Sequence, residues 1–104
     1  MKYDVVLSEE AENDIRGIFE YIAFTLLSLE NAAGQIGRIE DQILKLDEMP
    51  YRFPLMRKEP WRSRGLRFLP VDNYLVFYIP DDSLARVTVI RVLYGARSID
   101  NLIQ

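Results

Sequence analysis

The sequence predicts an α+β domain: an N-terminal strand, then an antiparallel helical hairpin packed on one face of a small twisted antiparallel sheet. Three observations lead there. Apolar residues recur at spacings of three and four through residues 11–26 and again through 32–46, the period of a helix with one buried stripe. From residue 65 onward the period becomes two, in three runs joined by connections too short for anything but antiparallel neighbours. The 104 residues suffice for one core and not for two, so 1–104 reads as a single domain.

The β-branched run "YDVVL" (3 to 7) ends at Ser8, a good helix N-cap followed by Glu9 and Glu10 in the favourable first turn. Ala11 stands at the third helical position, so the reciprocal capping box is missing. Ala11, Ile15, Ile18, Phe19, Ile22 and Leu26 form the first stripe. "SLEN" interrupts it, with Ser28 or Asn31 available to cap a second helix over 31–48, whose stripe is Ala32, Ile36, Ile39, Ile43 and Leu46 and whose stop is Pro50. Gly34 and Gly37 each cost that helix about 1 kcal/mol, a cost expected to reflect close approach of the first helix.

Residues 50–64, "PYRFPLMRKEPWRSR", are too broken by proline for a regular element and alternate aromatic with basic side chains. Trp61 is expected to pin this loop to the core; the other reading is an exposed stacking platform. The meander follows as "GLRFLPV" (65–71), "YLVFYI" (74–79) and "RVTVIRVLY" (86–94). Period-two alternation separates Leu66, Phe68, Leu75, Phe77, Ile79, Thr88, Ile90 and Val92 from Arg67, Leu69, Tyr74, Val76, Tyr78, Val87, Val89, Arg91 and Leu93. The first set is nearly all apolar and is expected beneath the helices. The second is expected to form an open face bearing cations and phenols.

The chain has no cysteine and no histidine, which excludes disulfides, thiolate chemistry, histidine-based triads and most zinc sites. No metal or other cofactor is expected. No run of about 18 apolar residues exists to cross a membrane, and the acidic start does not resemble a signal peptide, so a cytoplasmic protein is expected. The net charge of −3 hides a split. Residues 1–50 hold 4 basic and 11 acidic side chains; residues 51–104 hold 9 and 5. A local basic surface can meet a polyanion or an acidic protein despite the negative total. What remains chemically is arginine and tyrosine: forks that grip phosphate, and phenols that move a proton if nearby cations lower their pKa. The alternative is that Arg91 and Arg97 pair with carboxylates while Tyr94 packs at the sheet edge.

The ordered pieces "LSEEAENDIRGIFEYI", "ILKLDEMP", "LRFLPVDNYLVFYIPDD" and "VTVIRVLYGARS" resemble the RelE/ParE superfamily of bacterial type II toxin–antitoxin systems over nearly the whole chain. The resemblance implies a cognate antitoxin that wraps the toxin with a flexible segment and supplies binding to operator DNA. RelE-like members cleave mRNA on the ribosome; for that activity the resemblance implies a catalytic set of Arg91, Tyr94 and Arg97. Against it, Leu66 and Phe68 stand where that class carries lysines, and Leu75 where it carries arginine. The "RVLYGAR" ending looks closer to the ParE-like branch, whose members poison DNA gyrase and usually have histidine where Tyr94 stands. For either target, Arg62, Arg64, Arg67, Tyr74 and Tyr78 are the candidate target- or phosphate-binding residues. An inert family member that only binds its antitoxin is the third possibility.

Overall fold

The computed structural model describes residues 2–95. Strand β1 (Asp4–Leu7) leads into helix α1 (Glu9–Glu20), which runs on through a π-helical turn, Tyr21–Thr25. Helix α2 (Leu29–Leu44) returns antiparallel and tightens into a 3₁₀ turn at Lys45–Asp47. After a second 3₁₀ turn, Pro50–Arg52, and the loop 53–66 come β2 (Arg67–Val71), β3 (Tyr74–Asp81) and β4 (Arg86–Tyr94).

Both helices start where a serine satisfies a free amide. Ser8 Oγ accepts from the Ala11 N–H at 3.0 Å, and Ser28 Oγ from the Asn31 N–H at 3.2 Å. Leu27, at the hairpin turn, takes a left-handed φ of 57° that side chains rarely adopt. The sheet order is β1-β4-β3-β2. The meander is antiparallel as expected, and β1 adds to the edge of β4 in parallel, so the four-stranded sheet is mixed. The helical hairpin lies between β1 and the meander in sequence, as the crossover that a parallel pairing needs.

Through β2, β3 and the first half of β4 the faces of the sheet are the reverse of those expected; beyond the bulge Val92 and Leu93 lie where they were expected. Leu69, Val71, Val76, Tyr78, Val87, Val89 and Val92 are buried with Ala11, Ile39, Ile43 and Leu46 of the helical layer. The other set, Leu66, Phe68, Leu75, Phe77, Ile79 and Ile90, packs with Trp61 and Met56 of the 53–66 loop. Two apolar sets compete for the helices, and alternation cannot say which one a loop will cover. Trp61 does act as the anchor, only 4% exposed. A β-bulge adds a second departure: Phe77 pairs with Arg91 but Tyr78 with Val89, leaving Ile90 as the extra residue. The side-chain phase of β4 therefore slips, and Val92 joins Val87 and Val89 under the helices.

The first turns of α1 meet this bulge. The Ser8 hydroxyl donates to the Ile90 carbonyl at 2.7 Å, and Asp14 accepts the Val92 N–H at 2.9 Å. Helix, bulge and strand are thereby fixed to one another at the point where the groove described next begins. No helix among the described residues is long and apolar enough to cross a membrane.

Candidate functional site

A groove of about 1280 Å³ runs between the helical hairpin and the end of the β3–β4 pair. Gly17, Ile18, Tyr21 and Leu26 form one wall, Asn31, Gly34 and Gln35 the other, with Tyr74 and Tyr94 at the sheet end and Arg91 beside Asp14. Tyr74 and Tyr94 are cross-strand partners meeting edge to face, with centroids 5.7 Å apart. The groove opens towards the hairpin turn, where Phe24, Leu26, Leu27 and Leu29 are all more than half exposed.

The helical glycines have a different cause from the one expected. A Cβ on Gly17 or Gly37 would meet nothing within 4 Å, and one on Gly34 only the flexible end of Arg38 at 3.4 Å. No helix presses on them, so close packing of α1 on α2 does not account for them. Gly17 and Gly34 instead line the groove.

Arg91 is held by Asp14. Its Nε donates to Asp14 Oδ2 at 2.7 Å and a terminal nitrogen donates to Oδ1 at 2.8 Å. Both side chains are largely buried, at 17% and 14% exposure. Hydrogen bonding to Asp14 raises the Arg91 pKa above its ordinary value, so the guanidinium stays charged and fixed. Arg67 lies on the same side as Tyr78, its cross-strand partner. It donates to the carbonyls of Tyr51 and Phe53 at 3.1 and 2.7 Å and stacks on the Tyr51 ring. Arg67 thus shares the helix side with Tyr78, whereas Arg91 shares the parity of Phe77 and is drawn to helix α1 by Asp14; the two do not form the expected open cationic face.

Tyr78, expected at a target surface, is fully buried, and its hydroxyl donates to the Pro50 carbonyl at 2.6 Å. Burial pushes its pKa up to about 12. Tyr74 is half-buried in the groove, its pKa raised first by burial and then by Tyr94 and Tyr21. Raised values oppose a proton-accepting role for these two phenols at neutral pH. Tyr94 is half exposed at the rim. Arg62 and Arg64 are exposed on the loop across the sheet, Arg64 lying over the Trp61 ring at 5.3 Å. Arg97 lies outside the described residues. The candidate residues therefore fall into three places: groove, helix-side margin and outer loop.

Sequence reasoning missed Asp14, Gly17, Tyr21 and Gln35 as groove residues. Asp14 is one of several carboxylates on the first helix, and its spacing does not set it apart. Gly17 was the available signal, a helix-weakening residue whose cost no stripe explained.

The fold and groove define a small two-layer α+β domain with an open groove between its helices and the end of its sheet. The sequence matches the family described as "ParE toxin of type II toxin-antitoxin system, parDE" over residues 5–99, and the chain belongs to that family. Solved structures agree in fold. The chromosomal ParDE toxin–antitoxin system of Pseudomonas aeruginosa is similar at 16% identity and TM-score 0.73, covering 89% of this chain and 96% of that one. The RelBE2 toxin–antitoxin complex of Mycobacterium tuberculosis is similar at 21% identity and TM-score 0.64, covering 93% and 95%. The isolated Escherichia coli RelE toxin is similar at 18% identity and TM-score 0.61, covering 96% and 92%. No curated protein matches by sequence. The protein is a type II toxin of the RelE/ParE superfamily.

Proposed function

We propose that this toxin arrests growth as a binding protein, by engaging DNA gyrase, and that a cognate antitoxin neutralises it by seating a segment in the groove. The observation that carries the first part is that cationic and phenolic groups of the sheet are engaged within the fold. Arg91 is clamped by Asp14, Arg67 is turned to the carbonyls of residues 51 and 53, and Tyr78 is buried. A guanidinium already held by a carboxylate and a buried phenol with a raised pKa are poorly suited to grip phosphate and move a proton.

The groove supports the second part. It is larger and more open than a small-molecule pocket, and its rigid tyrosines, side-chain amides and bare glycines suit close contact with a polypeptide. Leu27, 84% exposed at the hairpin turn, offers a covering partner apolar surface.

Purified protein should inhibit supercoiling by gyrase and accumulate its cleavage complex. No effect at a micromolar excess overturns the target. One observation favours the RelE-like alternative: Arg91 and Tyr94 line the same groove. Toeprinting on translating ribosomes should then show A-site cuts that vanish in Tyr94→Phe. Induced expression without antitoxin that leaves growth unchanged points instead to an inert member.

A further inference from the structure

The groove leaves unexplained a second surface, on the other side of the sheet. Arg52, Arg57, Lys58, Arg62 and Arg64 fall within a stretch whose one acid is Glu59. Glu59 is occupied, accepting the Ser63 N–H at 2.9 Å and the Ser63 hydroxyl at 2.8 Å. Among the described residues no salt bridge reaches Arg57, Arg62 or Arg64, whereas Arg38 and Arg91 are each paired with an aspartate. All three guanidinium groups are exposed, Arg64 lying over the Trp61 ring.

The loop that carries them is stiff. Arg62 N–H donates to the Lys58 carbonyl at 3.0 Å, Gly65 N–H to Arg62 at 3.0 Å and Leu66 N–H to Trp61 at 3.1 Å. The Met56 N–H closes the neck on the Leu66 carbonyl at 2.8 Å, and Trp61 fastens the loop to the sheet. A rigid loop presents its charges with little ordering cost on binding.

We infer that this loop is a contact surface for the phosphate backbone of duplex DNA. Arginine predominates over lysine here, and its planar fork matches phosphate oxygens. Trp61 is buried beneath the loop, so no aromatic platform is offered to unstacked bases, and recognition reads backbone charge without sequence. The choice of duplex DNA rests on the gyrase reading, since a gyrase poison acts where duplex is held. The loop covers the sheet face opposite the helices, so a partner seated in the groove leaves it uncovered.

The test is fluorescence anisotropy of the full chain with a short labelled duplex of arbitrary sequence, with no gyrase present. Three phosphate contacts predict a log–log salt slope of about −2.7, so binding should weaken roughly 40-fold between about 50 and 200 mM salt. The triple variant R57Q/R62Q/R64Q should lose at least about tenfold in affinity and flatten that slope. R16Q/R86Q, a change of net charge at exposed sites elsewhere, should bind nearly as well as the parent; a loss equal to the triple variant's overturns the surface. Absence of duplex binding overturns it too, as does tighter binding of duplex RNA or of an acidic peptide. Because gyrase is absent from this assay, duplex binding by a protein inert in supercoiling overturns the target and upholds the surface.

Discussion

Asp14 of α1 grips Arg91 of β4 through both carboxylate oxygens while taking the neighbouring Val92 amide, three hydrogen bonds of 2.7 to 2.9 Å on one side chain. The pair joins residues 77 positions apart and ties the helical layer to the strand at its bulge. A largely buried ion pair whose remaining lone pair is also satisfied behaves as one unit, and removing a partner leaves the other charge stranded.

Asp14→Ala should therefore destabilise the protein by about 2 to 3 kcal/mol, and Asp14→Asn by less, because the amide oxygen can still accept from Val92. Urea unfolding midpoints measure both. A double-mutant cycle with Arg91→Ala should show coupling above about 1 kcal/mol. Additive losses would mean that the two side chains merely lie side by side.

Gly17→Ala separates folding from binding. The new methyl meets no atom within 4 Å, so the isolated toxin should gain about 0.5 to 1 kcal/mol from helix propensity. The same methyl projects towards whatever fills the groove, and should weaken the antitoxin complex on the order of tenfold or more. Thermal melts of the toxin and titration calorimetry with antitoxin read the two effects. A stabilised variant that binds antitoxin undiminished would place the partner elsewhere.

Stability should fall at both ends of the pH scale. Burial pushes the Tyr78 phenol up to about 12, and a hydrogen bond to Asp82 does the same for Tyr3. Above about pH 10 unfolded tyrosines release protons while these two keep theirs, so stability is full below pH 10 and declines as pH rises to about 12. On the acid side, Arg38 holds Asp72 below the usual carboxylate range, as the serine hydroxyls of Ser83 and Ser63 do for Asp81 and Glu59. Their contribution is present above the ordinary range and is lost as pH falls through the lowered values. Melting temperature against pH tests both limbs. Tyr78→Phe should flatten the alkaline one and also cost about 1 to 2 kcal/mol at neutral pH, by leaving the Pro50 carbonyl unpaired.

Local pattern was enough to place both helices and all four strands, though not the π-helical and 3₁₀ turns that extend and follow the helices. Ser8 and Ser28 cap the helices because short polar side chains next to helical periods have few other uses. Trp61 anchors its loop because so large an apolar side chain beside prolines gains most by burial. The family, too, was legible, in the order and spacing of pieces along nearly the whole chain.

What tertiary structure alone decided was which side of the sheet the helices cover. Both alternating sets in β2 to β4 are apolar enough to be buried, one under helices and one under the Trp61 loop, and period two is symmetric between them. The extra residue at Ile90 then shifts the phase of β4, a long-range event with no local signature. Arg67 and Tyr78 were consequently recognisable as unusual residues but not as helix-facing ones, and nothing local tied Arg91 to Asp14. Alternation along a strand fixes which side chains share a side; only the packing of loop and helices fixes what that side meets.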